Sequence, residues 1–335
     1  MEGMIPKLSE IERAREVLRR YLEPTRLVAA NSLTKRTGAR IFLKLESELP
    51  TGSFKPRGAI YALYKNAASR AIAGVVAAST GNHGAAVAYA ARLLEIPATI
   101  FLPENPNPVK RTRIAELGAT IVDAGRDLSA AAERAAAFAR EHNFYFLNDA
   151  SDPDVPAGAG TIALEILDAL PDADAIFVPM GDTALVRGVA AAAKSRKNSI
   201  RIVGVQAAQA PAYFLSWKEG RAIPTETCDT IADGLATRQP LEANVRAIRE
   251  LVDEVRLVSE EEMLDAMRVL LREENVVAEP AGAAATATLL QDKAIPALHK
   301  AKGGAPTPDL YAWKNVVLLV TGANTPPEIR KRVEE

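Results

Sequence analysis

"GVVAASTGNHGAAVAYA", residues 74–90, changes its hydrophobic period in the middle. Gly74–Ala78 is a short apolar run of strand length, and from about Asn82 onward the pattern is that of an alanine-rich helix. Between them Ser79, Thr80, Gly81 and Asn82 place short polar side chains and free backbone N–H groups at a helix N-terminus. Such a turn can receive a carboxylate or a phosphate. A plain N-cap is the other reading, although one Ser, Thr or Asn would satisfy it. His83 and Gly84 follow directly.

The same alternation extends along the chain. Ile41–Glu46 reads as a strand. Ala98–Leu102 precedes a helix beginning around Pro108, and Thr120–Asp123 precedes one from Leu128 to Glu141. Ala175–Pro179 leads to a helix after Thr183, and Arg201–Gln206 to one after Ala210. Val316–Thr321 is the last buried strand. Near the start, Ser9 and Glu12 have capping-box spacing and predict a helix to about Tyr21. Trp217–Thr230 and Lys300–Asp309 are rich in turn formers and read as loose. Short apolar strands each followed by a helix mean βαβ units and mainly parallel sheets. Their number exceeds one comfortable sheet. The predicted fold is therefore α/β with two lobes, each an open, mainly parallel twisted sheet flanked by helices.

Composition excludes several functions. The 335 residues carry 41 Lys+Arg against 42 Asp+Glu, so no basic field advertises nucleic acid or an anionic membrane. Aromatics at 5% argue against base-stacking platforms. A single cysteine, Cys228, and scattered histidines (His83, His142, His299) make neither a disulfide nor a zinc cluster. The charged N-terminus lacks a signal-peptide core, and no run approaches the ~18 apolar residues of a membrane span. A soluble cytoplasmic protein is expected.

Four further motifs carry candidate chemistry. In "TGSFKPRGA" (51–59) Gly52, Pro56 and Gly58 fix the backbone around Lys55, which suggests an aimed ammonium; an ordinary connection with a surface lysine is the alternative. "VPMGDTALVRG" (178–188) offers a Gly-x-Thr turn for a phosphate, with the Thr183 hydroxyl as a further donor. Asp182 would repel that phosphate and must point away; a simple tight turn is equally compatible. "LLVTGANTP" (318–326) puts Thr321 at the carboxyl edge of a strand, where open α/β sheets hold ligands. "AEPAGAAA" (278–285) sets Glu279 before a helix, whose dipole alone could account for it. Together a lysine, an asparagine-bearing anion turn, a phosphate turn and a strand-end hydroxyl suit pyridoxal 5′-phosphate, with its aldehyde, phenolic oxygen, phosphate and ring nitrogen.

On these motifs nearly the whole chain resembles the fold type II (tryptophan synthase beta-like) pyridoxal-phosphate enzymes, in the branch of serine/threonine dehydratases and serine racemases. "SFKPRGA" implies Lys55 as the Schiff-base lysine and Phe54 as packing near the cofactor ring. "STGNHG" implies Asn82 on the phenolic oxygen and Ser79, Thr80, Gly81, Asn82 and His83 around the substrate carboxylate. "DPDVPAGAGTIALEIL" (152–167), "ADGLAT" (232–237) and "EPAGA" are also similar to the dehydratases. The resemblance further implies Gly181, Asp182, Thr183, Ala184 and Leu185 at the cofactor phosphate. It places Thr321 at the ring nitrogen, and Gly234 and Glu279 among the cofactor-binding residues.

The implied domains are a large cofactor-binding one (1–70 and 151–335) and a small mobile substrate-binding one (71–150), in a homodimer. Departures from the pattern are equally specific. A glycine run is replaced by Gly181-Asp182-Thr183-Ala184, and the ring-nitrogen hydroxyl is a threonine. Gln206, Ala210 and Ala212 stand where racemase-like members hold a divalent metal with carboxylates, so no metal is expected there. The C-terminal allosteric domain of biosynthetic threonine dehydratases is expected to be missing.

The implied activity is an ammonia-lyase (dehydratase) acting on a β-hydroxy-L-amino acid, threonine or serine or a close analogue. It yields a 2-oxo acid and ammonia, with Lys55 as the base at Cα. Alternatives are an amino-acid (serine) racemase, with Thr80 as the second acid/base, a β-replacement synthase, and a catalytically silent cofactor-binding protein. A hydroxyaspartate substrate would want an extra cation, for which Arg57, Lys110, Arg113 and Arg187 are candidates. No nucleic acid or membrane partner is expected.

Overall fold

The computed structural model describes residues 4–69, 71–79, 81–104, 108–125, 128–291 and 313–335. The strands are β1 (Leu27–Ala29), β2 (Arg40–Leu45), β3 (Gly74–Ala78), β4 (Ala98–Leu102), β5 (Thr120–Asp123), β6 (Phe144–Phe146), β7 (Ala175–Pro179), β8 (Arg201–Ala207), β9 (Glu254–Val258) and β10 (Asn315–Val320). The first helices are α1 (Leu8–Leu18), α2 (Asn31–Thr37), α3 (Lys55–Ser69), α4 (Asn82–Leu93), α5 (Pro108–Glu116) and α6 (Leu128–His142). They continue with α7 (Val155–Ala169), α8 (Ala184–Arg196), α9 (Ala212–Glu219), α10 (Glu242–Leu251), α11 (Glu260–Glu273), α12 (Pro280–Gln291) and α13 (Pro327–Glu334).

Two sheets result, as the alternation of strands and helices predicted. The larger has the order β1-β2-β10-β7-β8-β9 and is parallel except for β1, which pairs antiparallel with β2. The smaller, β5-β4-β3-β6, is parallel throughout. Its strands are drawn from residues 74–146.

Both faces of the large sheet are covered, which is why its strands read as continuous apolar runs. In β10, Val316, Leu318 and Val320 join the cluster formed with α11 and α12. Val317 and Leu319 face the opposite cluster, with α1, α7 and α8. β7 divides in the same way, Phe177 to one side and Ile176 and Val178 to the other.

Two helix crossings depend on glycine. A Cβ on Gly158 of α7 would lie 2.2 Å from the Arg57 carbonyl of α3, and one on Gly188 of α8 would lie 2.1 Å from the Pro156 carbonyl of α7. These approaches let α3, α7 and α8 stack backbone against backbone. Arg57 completes the join. Its guanidinium, 2% exposed, donates to Glu46 at 2.7 and 2.9 Å and to Glu165 at 2.6 and 2.9 Å. Burial opposes its charge, but the two carboxylates outweigh burial and hold it above the usual arginine range. Arg57 is thus committed to the scaffold and is removed from the candidate substrate cations.

The N-terminal helix departs from its predicted cap. α1 starts at Leu8 with Lys7 at the N-cap and no side-chain capping bond, so Ser9 lies inside the first turn. The placement follows the stripe Ile11, Ala14, Val17 and Leu18, which is buried. A complete capping box forms instead at Ser259 and Glu262, opening α11. Trp217 lies in α9 rather than in a loop. Lys300–Asp309 lies outside the described residues.

The glycine crossings predict a stability effect. Gly188→Ala should lower unfolding free energy by about 1–3 kcal/mol, since the added carbon forces α7 and α8 apart. Urea unfolding followed by circular dichroism checks this, and an unchanged midpoint would show that the helices part at no cost.

Candidate active site

Register brings the carboxyl ends of β2 and β10 side by side, with Leu45 opposite Val320. The chain leaving each strand is then tied to the other. Ser53 bridges Gly322, the Phe54 N–H donates to the Thr321 carbonyl at 3.0 Å, and the Ala323 N–H donates to the Gly52 carbonyl at 2.9 Å. Gly52 sits at φ +69°, a conformation open to glycine. These bonds deliver Lys55 to the first position of α3, beside Thr321. Lys55 is not a surface lysine: its side chain is 21% exposed. Its ammonium stands 5.2 Å from the Phe54 ring centroid and donates to Asp149 Oδ2.

The smaller sheet supplies the facing wall. Asn82 opens α4, donates to Glu279 Oε1 at 2.8 Å and accepts from Asn324 Nδ2 at 2.6 Å. Glu279 also accepts from the Asn324 N–H at 3.0 Å. A Cβ on Gly322 would come within 2.3 Å of Glu279 Oε1, so this approach needs glycine. Arg113 of α5 donates to Asn324 Oδ1 and to the Thr51 carbonyl, adding a second bond between the walls. The Ser79 hydroxyl accepts from the Gly81 N–H at 3.2 Å. His83 Nε2 donates to the Leu147 carbonyl at 2.9 Å, and its Nδ1 is 3.6 Å from Asp149 Oδ2. Thr80 and the Lys110 side chain lie outside the described residues.

At the start of α8, the N–H groups of residues 181–185 donate to no described backbone carbonyl. The turn is braced from behind: a Cβ on Gly181 would sit 2.3 Å from the Gly234 carbonyl. Thr183 has φ +70°, a costly conformation for a β-branched residue, where glycine would be at ease. Its hydroxyl oxygen accepts from Arg187 Nε at 3.1 Å, which leaves its proton free to donate. Arg187 is spent on Thr183, the Met4 carbonyl and the Ala150 carbonyl, and burial pushes it down to about 10.

Asp182 accepts from the Thr237 hydroxyl at 3.2 Å. It does not leave the site as expected: burial, then the Asp149 carboxylate, push it above the usual carboxylate range against the pull of Lys55. Asp149 shows the reverse. Burial would raise it, but His83 and Lys55 hold it well below that range. For Lys55, burial works against the charge, and Asp149, with Asp182 and Glu279 behind it, holds the ammonium above the usual lysine range.

The sequence reading missed Asp149, Asn324 and Thr237. Asp149 follows β6 at the carboxyl edge of the smaller sheet, the position rule that had singled out Thr321. Among the described residues no group of three His, Cys, Asp or Glu is placed to hold a metal ion. Gln206 accepts from the Phe214 N–H at 2.8 Å. A separate cleft of about 410 Å³ lined by Arg15, Lys44, Arg57 and Glu165 shares no residue with the Lys55 cluster.

Comparison with known proteins places this geometry. Residues 18–322 match the family model described as pyridoxal-phosphate dependent enzyme. An L-threonine ammonia-lyase from Thermotoga maritima is 38% identical over 283 residues, 84% of this chain and 71% of that protein. The structure of maize serine racemase superposes with a TM-score of 0.90 at 27% identity, covering 98% of this chain and 97% of that one. The structure of a T.th. threonine deaminase gives 0.84 at 31% identity, covering 95% and 98%.

The turn at residues 181–185 makes a testable prediction about anions. Sulfate keeps its charge from about pH 5 to 8, so its affinity reports the protein. Burial and the Asp149 carboxylate raise Asp182, so its ionisation, which repels an anion at the turn, comes later on raising the pH than that of an ordinary carboxylate. Sulfate affinity should therefore fall with rising pH in the native protein. In Asp182→Asn it should be flatter, and on the order of tenfold tighter at the upper end. Calorimetric titration checks both.

Proposed function

The chain belongs to the pyridoxal-phosphate dependent enzymes, its cofactor is pyridoxal 5′-phosphate, and from that premise we propose that it is an ammonia-lyase removing water and ammonia from L-threonine or L-serine. The observation that carries the reading is the convergence of three groups. The Lys55 amine leads α3, Asn82 leads α4, and the open N–H turn leads α8. The names of the relatives support the reaction class, two of them naming threonine.

The residues fit the cofactor by their chemistry. An amine enclosed on most sides suits its aldehyde, the N–H groups of residues 181–185, which have no backbone partner among the described residues, and the Thr183 hydroxyl suit its phosphate, and Asn82 suits its phenolic oxygen. Thr321, buried at the end of β10, offers a neutral hydroxyl to the ring nitrogen. Gly181, Asp182, Thr183, Ala184, Leu185 and Gly234 form the phosphate pocket in this reading. Phe54 packs beside the ring, and Glu279 orients Asn82. When bound, pyridoxal phosphate withdraws electrons from the substrate Cα and makes its C–H bond acidic.

The protein groups do the rest. Ser79, Thr80, Gly81, Asn82 and His83 receive the substrate carboxylate at the positive end of α4. Lys55 takes the Cα proton and returns one to the departing β-hydroxyl. The Cα–H electron pair becomes the Cα–Cβ double bond, the C–O pair leaves with oxygen, and water is lost. The released enamine hydrolyses to a 2-oxo acid and ammonia. Residues 71–150 act as the small, closing domain on the frame of 1–70 and 151–335. The enzyme works as a cytoplasmic homodimer; among the described residues no helix is long and apolar enough to cross a membrane.

Incubation with L- and D-threonine, serine, hydroxyaspartate and phenylserine, with 2-oxo acid and enantiomer analysis, tests the proposal. Oxo acid from L-threonine or L-serine is expected, and Lys55→Ala should lower kcat by at least roughly 10³-fold. Racemised serine without oxo acid would move the assignment to a racemase. Cofactor binding with neither product would leave a silent binding protein.

A further inference from the structure

We propose that Asp149 is the counter-ion of the cofactor lysine, a positioning residue that holds the Lys55 amine as an ammonium ion in the cofactor-free protein. The inference rests on the reading of Lys55 as the lysine that bonds the cofactor.

Asp149 is placed rather than free to swing. The Leu147 carbonyl ahead of it accepts from His83 at 2.9 Å, and the Ala150 carbonyl after it accepts from Asn244 at 2.9 Å. The Asn148 side chain and carbonyl hold the Ala150 and Asp152 N–H groups at 3.0 and 2.8 Å. From this braced loop the carboxylate, 14% exposed, accepts directly from Lys55 Nζ. Facing it are Lys55 from α3, His83 from α4, and Asp182 and Arg187 from the start of α8. Facing Lys55 are Asp149, Asp182 and Glu279. Among the described residues the amine thus faces three acidic side chains, and it donates a hydrogen bond to Asp149. An amine so surrounded favours its charged form, since opposite charge at contact stabilises the ion more than partial burial penalises it.

The consequence appears twice. Bonding to the cofactor requires a neutral amine: nitrogen adds to the aldehyde carbon, the C–O bond breaks, and water leaves. The ammonium held by Asp149 must lose its proton first, so attachment slows as pH falls. In turnover, Lys55 is released as a neutral amine when the substrate amine takes its place, and so it can act as a base. Asp149 then stabilises the ammonium formed when Lys55 takes the Cα proton, and keeps that proton directed at the β-hydroxyl. Asp149 strengthens the base without touching substrate.

The experiment is covalent capture of pyridoxal 5′-phosphate by the cofactor-free protein across pH. Visible absorbance follows the rate, and borohydride trapping with peptide mass analysis identifies the lysine. The native rate should rise with pH through an inflection above about 10.4, the ordinary lysine value. In Asp149→Asn the inflection should fall, with capture at pH 7 faster on the order of tenfold and kcat for elimination lower by roughly 10- to 100-fold. Asp149→Glu should restore the native profile. A native inflection at or below the ordinary value overturns the proposal, whether or not the variants fold. So does an unchanged profile in a folded Asp149→Asn protein. Trapping on a different lysine overturns the assignment of Lys55 itself, and the counter-ion role with it.

Discussion

The site depends on a guanidinium that never reaches it. Arg57 stands two residues after Lys55 and is clamped by Glu46 from the end of β2 and Glu165 from α7, with Lys44 bridging to Glu165 at 2.5 Å. Removing one member would strand a buried charge at a cost of about 3–5 kcal/mol. The cluster therefore fixes how α3 leaves the sheet, and with it the direction of the amine at the helix's first residue. The glycines do the same work sterically. α7 can approach α3 closely enough for Glu165 and Thr161 to reach Arg57 because Gly158 has no side chain. Backbone approach and charge pairing are two halves of one joint.

The cofactor pocket itself is unusually acidic. Asp149, Asp182 and Glu279 all bear on Lys55, and Asp149 and Asp182 also bear on each other. The electrostatics separate their tasks. Asp149 is paired with Lys55 and held low, whereas burial and the Asp149 charge raise Asp182, which makes Asp182 the more easily protonated of the two. A protonated Asp182 adds no repulsion at the turn, while the ionised Asp149 serves the amine. Thr183 holds the same turn in a left-handed conformation that glycine would adopt without strain.

Most of the fold was legible in the sequence because buried parallel strands and alanine-rich helices have distinct periods. Lys55, Asn82, the 181–185 turn and Thr321 stood out in the sequence as candidates because each follows a strand at its carboxyl edge. Three things were not. The order of strands, with β10 entering between β2 and β7, is a long-range choice that no local pattern encodes. Ser9 failed as a cap because the buried stripe of α1, not the cap, sets where that helix begins. Arg57 looked like a free cation because its partners, Glu46 and Glu165, are 11 and 108 residues away. Asp149 lies in no motif, and the edge rule reaches it only once Phe144–Phe146 is known to be a strand.

The two sheets are joined in two different ways, and the difference bears on closure. Behind the site, Ile60 and Leu63 of α3 share one apolar cluster with Ala86, Val87 and Ala90 of α4, so that side cannot open without exposing hydrocarbon. In front, the walls meet through Asn82 to Glu279 and Asn324, and through Arg113 to Asn324 and Thr51. Polar contacts of this kind exchange for water at little net cost. The two sheets are thus held by an apolar contact on one side and a polar clasp on the other. The clasp also runs through Asn82, the residue assigned to the cofactor's phenolic oxygen. A ligand that competes for the Asn82 amide therefore competes with the bond to Glu279, which couples occupancy of the site to the strength of the clasp.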